Sequence, residues 1–196
     1  DNKYKILDTC AAPGGKSLHI ASKYFNSSLI SCDKYIHKLK LIEDNKEKLG
    51  INNIQVKEQD ATLTNDSFTD KFDIVVCDVP CSGIGVIKNK PEIKYKITNA
   101  YVEDIAKLQY EILENSKHYV KQGGTLLYST CTIDKRENIQ NIEKFLKENR
   151  DFILEKITLN NSIVKTRNNG VLEILPDEYG CDGFFIAKLK KMEAKC

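Results

Sequence analysis

The chain has 196 residues, of which 41% are hydrophobic and 30% charged, and its net charge is +2. That length suits one domain with one sizeable core, and the mixed composition excludes a disordered or low-complexity chain. The longest apolar runs are a handful of residues, too short to span a bilayer, and the opening DNKYKILD is no signal peptide. A cytoplasmic protein without a membrane partner is expected, and so weak a positive charge does not by itself point to nucleic acid.

Short apolar runs alternate with longer amphipathic stretches. KYKILD reads as a buried strand ending at Asp8, followed by a helix from Gly15 to Phe25. SLISCD is a second strand ending at Asp33. The next helix carries Ile36, Leu39, Ile42 and Leu49, with Gly50 where a C-terminal cap is expected. NIQVKEQD is a third strand ending near Asp60. FDIVVCD is a fourth, continuously apolar as a strand covered on both faces should be. A long helix places Ile105, Leu108, Ile112 and Tyr119 on one stripe, and Gly123 and Gly124 are expected to end it. TLLYSTC is a fifth strand. Asp134 and Glu137 have the spacing of a capping box, opening a helix through Ile139, Ile142 and Phe145. FILEKI and GFFIAKLKK supply two more strands.

Strands alternating with helices imply an α/β fold with a doubly wound, mostly parallel sheet, and ligands of such sheets bind beyond the carboxyl ends of the strands. Those ends carry Asp8, Asp33, Asp60, Asp78 and Cys131, which are therefore expected to converge on one crevice.

The seven cysteines (Cys10, Cys32, Cys77, Cys81, Cys131, Cys181 and Cys196) are odd in number and form no C-x-x-C. They share no ligand spacing with His19, His37 and His118. Neither a disulfide framework nor a metal site is expected. Cys10, Cys32, Cys77 and Cys181 should pack as small apolar residues, and Cys196 should lie loose at the chain end.

Two segments carry chemistry. The first is the turn DTCAAPGGKS after the first strand, where glycines let the backbone approach a ligand and helix N-terminal amides can meet its anionic end. A phosphate loop would need a glycine where Cys10 stands, and no G-x-G-x-x-G is present for a dinucleotide. A third reading is a cradle for the methionine carboxylate of S-adenosylmethionine. Asp33 would then accept from the ribose hydroxyls, and Asp60 would sit by the adenine. The second is a pair of cysteines at two strand ends, in Asp78-Val79-Pro80-Cys81 and in Ser129-Thr130-Cys131. A thiol is a useful nucleophile only when ionised, and Cys131 lies just ahead of a predicted helix bearing Lys135 and Arg136, which favour the anion. Carbon 5 of cytosine takes a methyl group only after a thiolate has added at carbon 6, and Asp78 is placed to assist that addition at ring N3.

DTCAAPGGKSLHIA, DVPCSGIGVIKNKPEIKY, LLYSTCTIDKREN and YGCDGFFIAKLKK resemble, in order and over nearly the whole chain, the Sun-type (RsmB-like) RNA 5-methylcytosine methyltransferases. The resemblance implies a Rossmann-like S-adenosylmethionine-dependent methyltransferase fold, with a seven-stranded sheet that closes on a C-terminal antiparallel hairpin. It implies that Cys131 attacks the base and Cys81 assists product release. It implies further that Cys10, Ala11, Ala12, Pro13, Gly14, Gly15 and Lys16, with Asp33, Asp60 and Asp78, bind S-adenosylmethionine, Asp78 also lying beside the target cytosine. The partner is then RNA, and the YGCDGFF region points to the branch that modifies bacterial 16S ribosomal RNA. Relatives that modify transfer RNA share the core motifs. Departures are mild: Val79 stands for alanine, Thr132 for serine, and Lys88 and Lys90 for arginine. The family's N-terminal RNA-binding part is expected to be absent from residues 1–196, which would form the catalytic domain. Two readings of other classes remain: a nucleotide hydrolase built on a degenerate phosphate loop, and a non-catalytic RNA-binding domain.

Overall fold

Neighbouring residues of one strand pack into different cores. Ile6 joins Leu18, Ala21, Leu29, Ile54 and Val76 on one face of the sheet, while Leu7 joins Val75, Cys77, Leu113 and Leu126 on the other. Side chains alternate across a strand, so a strand covered on both faces must be apolar at every position. That is the physical origin of the run in FDIVVCD.

The computed structural model describes residues 3–159, 169–176 and 178–193. Five parallel strands, β1 (Lys5–Asp8), β2 (Ser28–Asp33), β3 (Ile54–Glu58), β4 (Phe72–Asp78) and β5 (Val120–Thr130), lead into an antiparallel end. That end consists of β6 (Phe152–Leu154), β7 (Val171–Ile174) and β8 (Phe184–Lys191), with β8 antiparallel to β5, β6 and β7. The order is β3-β2-β1-β4-β5-β8-β6, with β7 paired to β8 off this path. The seven strands of the path are those expected from the sequence, and short β7 is an eighth. Helices α1 (Gly15–Lys23), α2 (Ile36–Leu49), α3 (Asn99–Ser116) and α4 (Ile139–Glu148) make the connections. The strand order reverses between β1 and β4, and this switch point is where an open α/β sheet offers a crevice.

Three local expectations are corrected. The long helix ends at Ser116, a 3-10 turn carries Tyr119, and Gly123 and Gly124 lie inside β5. The β4–β5 register shifts between Phe72 and Ile74, whose partners are Val120 and Thr125, so the extra residues of β5 must bulge there. Gly123 takes φ 68°, and a Cβ on Gly124 would meet the Lys121 carbonyl at 2.8 Å. Asp134 and Glu137 do not form a capping box. The N-cap of α4 is Asn138, the Asp134 side chain turns onto the Arg136 amide, and Glu137 faces inward. Cys181 is exposed rather than packed, whereas Cys32 and Cys77 are buried as expected. Cys196 lies outside the described residues.

Candidate active site

A cleft of about 530 Å³ opens beyond the carboxyl ends of the parallel strands. Its walls include Cys10 and Ala12 after β1, Asp33 at the end of β2, Asp60 after β3, Asp78 and Cys81 at the end of β4, and Cys131 after β5. Leu108 and Ile112 of α3 form an apolar side. Asp8, although at a strand end, is not part of it. Asp8 is fully buried beneath the turn, where Ser17 Oγ donates to its carboxyl at 2.6 Å and Ser31 Oγ in turn donates to Ser17 Oγ at 2.8 Å. Burial pushes Asp8 up to about 6.

The glycine turn is shaped by its backbone. Gly14 takes φ 105°, a left-handed conformation, and a Cβ there would press on Ile42 at 3.1 Å. Gly15 opens α1 with nothing within 4 Å of its Cβ position, whereas Ser17 and Leu18 of the same turn are buried. Leu18 N donates to the Gly14 carbonyl at 2.9 Å, and the amides of Gly15, Lys16 and Ser17 before it have no partner within the helix. Ala12 N donates to Asp33 Oδ2 at 3.3 Å and Tyr35 N to Asp33 Oδ1 at 3.1 Å, which fixes the carboxyl at the mouth of the cleft. Asp60 pairs with Lys34 at 2.7 Å, and that hydrogen bond holds its carboxyl below the usual range. Of the segment Cys10 to Lys16, Cys10 and Ala12 line the cleft, Ala11 and Gly14 are buried, and Pro13 and Gly15 are exposed. Burial raises the Cys10 thiol well above its ordinary value, so it is no ready nucleophile.

Cys81 and Cys131 meet because β4 and β5 are neighbours. Asp78 pairs in register with Ser129, so both strands end at one level. The two sulfurs lie 3.1 Å apart. The hydrogen bond to Cys81 is the largest influence on Cys131 and brings it down to about 7 against the opposing effects of burial and Asp78, with Lys16 assisting. The same hydrogen bond, with burial, drives Cys81 upward. Both shifts favour the thiolate at Cys131 over the thiolate at Cys81. Lys16 Nζ reaches Asp78 Oδ2 at 2.6 Å and lies 5.2 Å from the Phe184 ring centroid. Ser129 Oγ donates to Asp78 Oδ1 at 2.7 Å. Lys16 thus belongs to the two-cysteine end of the site rather than to the cleft wall.

Close backbone packing locks the loops that carry the cysteines. Gly85 N donates to the Cys131 carbonyl at 3.1 Å, and Gly183 N donates to the Gly85 carbonyl at 2.8 Å. Sequence reasoning left three features of the site unread. Lys34, Tyr35 and Lys38 line the cleft, Phe184 lies against Lys16, and Glu137 bonds to the Cys81 loop. Lys34 next to Asp33 was the only available signal for the first. Among the described residues no group of three or more His, Cys, Asp or Glu side chains could hold a metal ion, and no helix is long and apolar enough to cross a membrane.

The sequence and the fold are similar to those of known proteins. The chain is 42% identical over 192 residues to the probable ribosomal RNA small subunit methyltransferase B of Bacillus subtilis (strain 168), covering 95% of this chain and 43% of that protein. It is 30% identical to ribosomal RNA small subunit methyltransferase F of Escherichia coli O157:H7 (strain EC4115 / EHEC), covering 97% and 40%. NSun6 from Pyrococcus horikoshii, crystallised with SFG, superposes with a TM-score of 0.82 at 30% identity over 97% of this chain and 48% of that one. A methyltransferase homolog protein from the same organism gives 0.80 at 26% identity, covering 98% and 63%. The chain spans less than half the length of these curated relatives. The family model described as 16S rRNA methyltransferase RsmB/F matches residues 1–190, and the chain belongs to that family.

Proposed function

We propose that residues 1–196 form the catalytic domain of an S-adenosylmethionine-dependent RNA cytosine-5 methyltransferase acting on 16S ribosomal RNA, with Cys131 as nucleophile. The observation that carries this is the meeting of two thiols, one lowered and one raised, at 3.1 Å on the rim of a cleft lined by Asp33, Asp60 and Asp78. Membership of a ribosomal RNA methyltransferase family supports the substrate class.

The cleft suits S-adenosylmethionine. Unpartnered amides at the start of α1 favour a carboxylate. The Asp33 carboxyl is fixed where two ribose hydroxyls can donate to it, and Leu108 and Ile112 offer an apolar wall to a planar base. When bound, the cofactor supplies an electrophilic methyl group on a sulfonium. The protein supplies the rest. The Cys131 thiolate adds to carbon 6 of cytosine, and the electron pair of the 5,6 double bond moves into the ring, leaving carbon 5 nucleophilic. Hydrogen bonding from the Asp78–Lys16 pair at the ring N3 edge favours that addition. Carbon 5 would take the methyl group, the sulfur of the cofactor keeping the electron pair of the broken sulfur–methyl bond. Its proton then leaves to a base, the carbon–sulfur bond breaks, and Cys131 departs as thiolate. Cys81, 3.1 Å away, is placed to stabilise that leaving thiolate.

RNA would approach over the loop that follows Cys81. Lys88, Lys90, Lys94 and Lys96 are exposed there, and Tyr95 is 81% exposed. Cations that track phosphates and an aromatic ring that can stack on a base are what single-stranded RNA recognition needs. The test is transfer of labelled methyl from S-adenosylmethionine to 16S ribosomal RNA and to transfer RNA, with calorimetric titration of S-adenosylmethionine and of ATP with magnesium. Methylated cytosine in 16S RNA upholds the proposal. Label only in transfer RNA changes the substrate, and binding of ATP alone overturns the reading.

A further inference from the structure

Glu137 sits where two catalytic loops and one helix meet. Its side chain is fully buried, and among the described residues no lysine or arginine forms a salt bridge with it. Four donors converge on it instead. Oε2 accepts from Ser82 N at 2.8 Å and from Gln109 Nε2 at 2.8 Å. Oε1 accepts from Ser82 Oγ at 2.5 Å and from Thr132 Oγ1 at 3.1 Å. Ser82 directly follows Cys81, and Thr132 directly follows Cys131. The Ser82 and Thr132 hydroxyls themselves lie 2.9 Å apart. Gln109 Nε2 also donates to the Pro80 carbonyl at 2.9 Å, so the Cys81 loop is gripped on both sides of its thiol. Tyr128 OH donates to the Glu137 backbone carbonyl at 2.5 Å, which anchors the residue itself.

Burying a carboxyl among well-packed residues gains little stability over an apolar side chain of the same volume, so its position calls for another explanation. Here three of the four side-chain contacts end one residue from a site thiol. We infer that Glu137 is a positioning residue, whose carboxyl ties the residue after Cys81 to the residue after Cys131 and so sets the separation of the two sulfurs. The inference rests on the reading of Cys131 and Cys81 as the working thiols. Glu137 touches neither the sulfurs nor the cleft, so it acts only through these two loops.

The test is the pH dependence of iodoacetamide alkylation at Cys131, followed by mass spectrometry in the purified protein without RNA or cofactor. Steady-state methyl transfer is measured beside it. Glu137→Gln keeps the volume but turns one acceptor into a donor facing donors. The alkylation midpoint should rise from about 7 toward the ordinary thiol value of about 8.5. The kcat should fall about 10-fold or more, with KM for S-adenosylmethionine unchanged, because small misplacements of reacting groups are costly. A folded Glu137→Gln protein with the wild-type midpoint and kcat would overturn the inference, as would a lower melting temperature with the midpoint unmoved. Should Glu137→Gln not fold, Thr132→Val and Thr132→Ser decide. The valine should shift the midpoint and the serine, which keeps the hydroxyl, should restore it; equal midpoints in both sink the idea. Failure of the underlying reading shows separately, as an ordinary thiol midpoint at Cys131 in the wild-type protein.

Discussion

The sulfurs of Cys81 and Cys131 lie 3.1 Å apart although 50 residues separate them in the chain. Their hydrogen bond is the largest influence on each thiol, lowering Cys131 and raising Cys81.

Removing either thiol should have a different consequence. Cys131→Ala should abolish transfer to cytosine, a loss of at least about 1,000-fold in kcat, as expected when a nucleophile is deleted. Its affinity for S-adenosylmethionine should change little. Cys81→Ala should instead stall after addition and accumulate a protein–RNA adduct that resists denaturant on a gel. Normal turnover by Cys131→Ala would remove it from the chemistry.

Thiolate character should depend on the pair. In the wild-type protein the reactivity of Cys131 should rise with pH through about 7, since the deprotonated form is the nucleophile. In Cys81→Ala the S–H donor is gone, and the same rise should move to higher pH. Alkylation rates between pH 5 and 10 check this. Coincident profiles would mean that the hydrogen bond does not control the thiol.

Asp8 makes stability depend on pH. Its folded value is pushed up to about 6 by burial, above an unfolded value of about 3.9. The folded state therefore binds the proton more tightly, and that contribution is fully present below about pH 4 and is lost as pH rises through about 6. The interval corresponds to about 3 kcal/mol. Asp8→Asn keeps the acceptor for Ser17 and should flatten this part of the profile, as read by urea unfolding at pH 4, 5, 6 and 7. A wild-type profile without any such fall would show that Asp8 titrates normally.

Gly85 is required by close approach. A Cβ there would meet the Gly183 carbonyl oxygen at 2.5 Å and the Cys131 carbonyl oxygen at 2.8 Å, and backbone atoms cannot rotate away. Gly85→Ala should cost about 1–3 kcal/mol, as overpacking does. For a chain of this size that lowers the melting temperature by about 2–12 °C. Activity should fall as well, because the displaced carbonyl belongs to Cys131.

The alternation of strands and helices, the glycine turn and the acidic and thiol strand ends are all legible in the sequence. Each is a local property: strand and helix periodicities differ, buried parallel strands are apolar throughout, and Gly50 ends α2 in a left-handed conformation that few other residues adopt. What the sequence could not decide is which ends become neighbours. The order β3-β2-β1-β4-β5 sets β4 beside β5 and so brings Cys81 to Cys131. Packing also withdrew Asp8 from the crevice and left Asp33, Asp60 and Asp78 in it. Glu137 shows the limit most plainly. Its spacing from Asp134 suits a helix cap, yet its four donors come from Ser82, Gln109 and Thr132, two of them far away in the chain. Local spacing reports only what a residue can do to its own turn of chain, whereas burial and long-range hydrogen bonding are settled when the sheet closes.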